Sequence, residues 1–83
     1  MYYDLIESGK RIRMLRKKLG LTQENLADKL GVTLNTISRI EIGNRGISID
    51  LAIDLAVLFN STLDYIIAGR GPNVYSNKDK QLS

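Results

Sequence analysis

Residues 23–41 read Gln23-Glu24-Asn25-Leu26-Ala27-Asp28-Lys29-Leu30-Gly31-Val32-Thr33-Leu34-Asn35-Thr36-Ile37-Ser38-Arg39-Ile40-Glu41, and this stretch decides the fold. It holds two segments of helical periodicity, 23–30 and 34–41, joined by Gly31-Val32-Thr33. Thr22 and Thr33 stand where an N-cap hydroxyl takes up a free N–H of the first turn. A full capping box wants Glu or Gln three residues after Thr22; Asn25 stands there, which predicts a weaker cap. Helices of about two turns are unstable alone and must be held by packing. A three-residue connection with glycine sends the second helix off near a right angle to the first. Such a crossing is close only if the facing residue is small and the second helix buries two residues at helical spacing. Ala27 is the small residue, and Ile37 and Ile40 are the buried pair.

Outward from this stretch the chain parses into three more helices. The first runs from about Asp4 to Lys18, with Leu5, Ile12, Leu15 and Leu19 at helical spacing and Gly20 as its stop. Gly43 ends the helix over 34–41, and the loop Gly43-Asn44-Arg45-Gly46 follows. Ser48 caps a fourth helix, with Asp50 in its first turn. That helix is apolar nearly all round, which predicts a central buried element. Asn60 is its left-handed stop, and Thr62 caps a short fifth helix, Leu63 to Ala68. No period-two pattern persists beyond three or four residues, so the expectation is an all-α, five-helix bundle. Residues 1–68 form the expected domain. Residues 69–83 hold the sole proline, Pro72, among Asn, Ser and Lys, and read as a mobile polar tail.

The composition narrows the chemistry. The 83 residues contain no Cys, His or Trp. That removes disulfides, thiol nucleophiles, zinc–thiolate sites and the commonest general base. There is no glycine-rich phosphate loop and no cluster of carboxylates, so the reading is not an enzyme, with no catalytic residue, no metal and no cofactor. The core must come from aliphatic packing, with 12 Leu and 10 Ile available. The net charge of +3 is unevenly spread: residues 10–45 carry +6 and residues 46–68 carry −3. A basic first half suits a polyanion, although a lysine-rich helix face is also ordinary solvated surface. The longest unbroken apolar run, Leu55 to Phe59, is far short of the roughly 20 residues of a membrane span. Asp4 and Glu7 precede any basic residue, unlike a signal peptide, so a cytoplasmic protein with no membrane partner is expected.

Leu21 to Thr33, followed by Thr36-Ile37-Ser38-Arg39-Ile40-Glu41, resembles the helix-turn-helix family of phage repressors and Cro proteins. The resemblance spans about residues 9–68. It includes the Arg-Ile-Arg run at 11–13, the Thr-Gln-Glu at 22–24 and Leu63-Asp64. It implies a five-helix domain that binds double-stranded operator DNA, commonly as a symmetric dimer. The sequence departs from the family pattern at Ile42, at Gly46-Ile47 and at Leu34, which is unusually apolar for a groove-facing position.

The chemistry of the residues fits that implication. An eight-residue helix is about 12 Å long, and the major groove is about 12 Å wide. With Ile37 and Ile40 turned inward, Leu34, Asn35, Ser38 and Arg39 face outward as base readers. Arg39 can bind guanine through two bonds, Asn35 can pair with adenine, and Leu34 or the methyl of Thr36 can meet thymine methyls. Thr33, Thr36, Asn44 and Arg45 are phosphate candidates at a helix start and the adjacent loop. Gln23 joins them because it matches the family's backbone-gripping residue. By the same resemblance Arg16 and Glu41 make a structural salt bridge. Lys10, Arg11, Arg13, Lys17 and Lys18 circle the first helix and cannot all reach DNA. Tyr65, Ile66 and Ile67 crowd a helix too short to bury them all, and are homodimer candidates.

A transcription regulator, with a repressor as the first expectation, is the leading reading. An antitoxin or a restriction–modification controller of the same fold would also bind DNA, the former with a toxin or other regulator as a protein partner. A protein-interaction module without DNA binding would predict a degraded outer face on the helix over 34–41. Asn35, Ser38, Arg39 and Arg45 speak against it.

Overall fold

The computed structural model describes residues 4–70, and among these every regular element is a helix. The order is α1 (Leu5–Lys18), α2 (Gln23–Leu30), α3 (Leu34–Glu41), α4 (Ile49–Leu58) and α5 (Leu63–Ala68). Each helix starts on a side-chain cap. The caps are Asp4, Thr22, Thr33, Ser48 and Thr62, and each accepts from backbone N–H groups of its first turn. Asn25 corrects the expectation of a weak cap: its Oδ1 accepts from Thr22 N at 3.1 Å while Thr22 Oγ1 accepts from Asn25 N at 3.0 Å. The shorter amide side chain still reaches, so the box is closed. Gly20, Gly31, Gly43 and Asn60 take positive φ at the helix ends, as expected, and Gly69 does the same after α5.

The core is one cluster in which all five helices take part. Ile12, Leu26, Ile37, Leu55 and Ile66 are buried at its centre, with Ala27, Ile40, Ala56 and Phe59 around them. α1 packs on α3 and α5, α2 packs on α3 and α4, and α4 packs on α5. The α1–α3 crossing is set by Gly9. A Cβ there would press into the carbonyl oxygens of Ile40 and of Glu41, the latter at 2.7 Å. A glycine inside a helix costs about 1 kcal/mol relative to alanine, so its presence in α1 reflects this backbone approach. α5, only six residues long, is tied to α1 by two side chains. The buried Ser8 hydroxyl donates to Ile66 O at 2.7 Å, and Arg11 donates to Ile66 O and Ile67 O at 3.1–3.3 Å.

Three sequence expectations change. α4 is not buried all round: Ala52, Leu55 and Ala56 face the core, whereas Ile49, Ile53 and Val57 are 65%, 45% and 76% exposed. Among the described residues, neighbours cover only one of its sides. Leu19 is exposed, because it is the C-cap of α1 and the chain has already turned away. Ile66 belongs to the core at 0% exposure and offers no side chain to a second copy. Of the expected tail, only residues 69 and 70 lie within the described residues. No helix among the described residues is long and apolar enough to cross a membrane.

Candidate nucleic-acid interface

α2 and α3 place one helix on the surface with its outer face free. Val32 N donates to Ala27 O at 3.0 Å, which closes the end of α2 as Gly31 turns the chain at φ 70°. Ile37 and Ile40, at 1% and 2% exposure, pin the inner face of α3. Asn35 and Arg39 are exposed on the opposite side, Ser38 is half-buried between them, and Leu34 is 48% exposed at the helix start. Neither Asn35 nor Arg39 makes a side-chain hydrogen bond or ion pair with another described residue. The amide and guanidinium therefore keep their full hydrogen-bonding capacity for an external partner.

Three phosphate candidates gather at the N-terminus of α3. Thr33 Oγ1 accepts from Thr36 N at 3.1 Å and lies 2.9 Å from Thr36 Oγ1. Arg45 Nη1 donates to Thr36 Oγ1 at 3.4 Å, which brings the loop guanidinium back to the helix start. Asn44 N donates to Arg39 O at 2.9 Å, so the loop closes the C-terminal end of α3 and its side chain stays exposed. A positive helix terminus beside a guanidinium and two hydroxyls favours an anionic group. Ile42, one of the departures from the family pattern, is 63% exposed and adds nothing to the core.

Gln23 sits elsewhere, at the start of α2 beside the far end of α3. Its Nε2 donates to Glu41 Oε1 at 3.0 Å. Glu41 is also gripped by Arg16, through Nε at 2.7 Å and Nη2 at 3.1 Å. The Glu41 side chain is 1% exposed and the Arg16 side chain 9%. Arg16 Nη1 donates to Leu21 O at 2.8 Å, so the one guanidinium joins α1, the α1–α2 turn and α3. Arg16 and Glu41 are thus spent inside the fold, whereas Gln23 retains a second amide proton and its carbonyl oxygen. The other basic residues of α1 divide: Arg11 caps α5, and Lys10, Arg13, Lys17 and Lys18 are exposed.

Sequence reasoning missed Gly9, Ser8 and Arg11, which orient the helices carrying the interface. Only Gly9 left a signal, as a glycine within a helical pattern. Ser8 and Arg11 are polar residues on a polar helix, and nothing in their spacing separates a buried clasp from a solvated face.

A helix-turn-helix family model matches residues 12–66. The chain belongs to the Cro and phage-repressor helix-turn-helix family. It is 30% identical over 75 residues to the uncharacterized HTH-type transcriptional regulator YqaE of Bacillus subtilis, covering 89% of this chain and 65% of that protein. It is 41% identical over 56 residues to YazB of the same organism, covering 68% of this chain and 81% of YazB. Among solved structures, the restriction-modification controller protein C.AhdI of Aeromonas hydrophila matches with a TM-score of 0.71 and 32% identity, over 80% of this chain and 100% of that one. The P22 c2 repressor, solved with a synthetic operator, matches with a TM-score of 0.72 and 30% identity, over 76% of this chain and 96% of that one. The family fold accounts for all five helices, and its helix-turn-helix is α2–α3.

Proposed function

We propose that this domain reads double-stranded operator DNA by laying α3 in the major groove. It is a DNA-binding regulator of the transcription-factor type, as its family membership and its likeness to a repressor solved on operator DNA support. Asn35, Ser38 and Arg39 are the base readers, and Leu34 is an apolar contact for a thymine methyl. Thr33, Thr36, Asn44, Arg45 and Gln23 hold phosphates and fix the register. The observation that carries this reading is the outer face of α3, where Asn35 and Arg39 are exposed and have no side-chain partner among the described residues while Ile37 and Ile40 anchor the same helix.

The active species is a homodimer that places two copies of α3 on one face of the duplex, about 34 Å apart. Tyr65 and Ile67, both half-buried on α5, are its contact residues. Repression is the leading role. A restriction–modification controller is the second reading, favoured by the likeness to C.AhdI over the full length of that protein. Both roles place the protein in the cytoplasm with its DNA.

The test is selection of bound sequences from random duplex DNA, with wild type and Arg39→Ala in parallel. The expected wild-type product is a palindromic site. The variant should lose preference at one position per half-site, at a cost of about 1–3 kcal/mol. An unselected pool from the wild type would overturn sequence-specific reading, and an unchanged preference in the variant would overturn the role of Arg39.

A further inference from the structure

Two exposed helix faces take no part in the interface described above, and they complement each other. The first is the outer side of α4. Ile49, Ile53 and Val57 are 65%, 45% and 76% exposed at a spacing of four residues, and they form an apolar ridge about 12 Å long. Asp50 and Asp54 run along its flank, exposed and without an ion-pair partner among the described residues. Residues 46–68 contain no basic side chain at all. The second face is the outer side of α1. Met14, 45% exposed, lies in a shallow depression walled by Lys10, Arg13, Lys17 and Lys18. Lys10 to Lys17 spans about 10 Å along the helix.

The inner side of α1 packs on α3, with Gly9 against the backbone of Ile40 and Glu41. The Met14 face therefore points away from the packed side of α1. Its basic groups are not among the residues assigned above to bases or phosphates. Lys10 makes an exposed ion pair with Glu7 at 3.3 Å, which is weak enough to part.

We propose that the α4 face of one copy docks on the α1 face of a second copy. The aliphatic ridge of α4 sits over Met14 and the lysine stems, which are themselves apolar along most of their length. Asp50 and Asp54 meet the ammonium and guanidinium heads at the rim. Two α4 ridges facing each other would instead oppose four carboxylates, and charge selects against that pairing. The contact joins different surfaces on the two copies, so it is heterologous and adds copies beyond a two-fold dimer. It leaves α3 free, so copies on neighbouring sites along one DNA can touch.

The experiment is a charge-swap cycle on the full chain, read by sedimentation over a range of concentrations. One variant carries Lys10→Glu and Lys17→Glu; the other carries Asp50→Lys and Asp54→Lys. All four positions are exposed, and circular dichroism checks that each variant is folded. Wild type should associate beyond the dimer, more weakly as salt rises. Each variant alone should lose at least about tenfold in that association, because charge complementarity is cancelled on α1 in the one and reversed on α4 in the other. An equimolar mixture should regain association, since the unaltered α1 face of one variant meets the unaltered α4 face of the other. A wild type that never exceeds a dimer, variants that associate like wild type, or a mixture no stronger than its components would each overturn the proposal. If reversal on α1 abolishes binding of a second duplex while self-association is untouched, DNA is the occupant and the proposal is wrong.

Discussion

Removal of Glu41 is the perturbation that tests most directly how α3 is held. Its carboxylate accepts three side-chain hydrogen bonds, two from Arg16 and one from Gln23. With the Glu41 side chain 1% exposed and the Arg16 side chain 9%, water is poorly placed to replace a lost partner. Glu41→Ala therefore leaves the Arg16 charge buried and unpaired except for Leu21 O. Breaking a buried pair in this way costs about 3–5 kcal/mol, most of it from the stranded charge. A small domain has about 5–15 kcal/mol in total and sits toward the low end. At about 4–8 °C per kcal/mol, the melting midpoint should fall by about 12–40 °C. The assay is thermal and urea unfolding by circular dichroism, run beside Arg16→Met and the double variant Arg16→Met/Glu41→Leu. The double variant should recover much of the loss, because an apolar replacement of similar volume has no charge to desolvate. A single substitution costing under about 1 kcal/mol would place the pair with surface ion pairs and refute the argument. A double variant as unstable as the worse single one would refute it too, since the fold would then need the charges themselves.

Gly9→Ala tests the sign of a packing argument: helix propensity favours Ala by about 1 kcal/mol, but the Cβ would meet backbone oxygen at 2.7 Å, so net destabilisation is expected in urea unfolding. Arg45→Ala should weaken binding to all DNA sequences alike and reduce the salt slope of log affinity by about 1, whereas Arg39→Ala should change the preferred site; filter binding across a salt series separates the two. Arg11→Ala frees the Ile67 carbonyl and leaves Ser8 as the remaining side-chain donor to Ile66 O. It should raise amide exchange in α5 and weaken dimerisation by sedimentation, with the base preference of α3 unaltered. Thr33→Ala removes the α3 cap and the Thr36 contact, and should cost about 1 kcal/mol of stability by chemical denaturation.

The sequence by itself determined the helices and their ends. Caps and stops act within four residues, so Thr22, Thr33, Ser48 and Thr62, with Gly31, Gly43 and Asn60, place the boundaries of α2 to α5 without reference to the rest of the chain. The pattern Ala27, Gly31, Ile37, Ile40 likewise determined which face of α3 turns outward, because burial of two isoleucines leaves only one orientation. What periodicity cannot tell is how many neighbours a helix has. α4 looked buried from its apolar content, yet only one side is covered, and Ile66 looked available on a crowded helix, yet it fills the core. Only the tertiary structure decided the uses of the polar residues on α1. Ser8, Arg11, Arg16 and Lys17 lie on one basic helix, and the structure sends the first two to the carbonyls of α5, the third to Glu41 and the last to solvent. Those partners are 25 to 58 residues away in the chain. A charge or a hydroxyl carries no mark of which distant group it will meet until packing has brought that group within hydrogen-bonding distance.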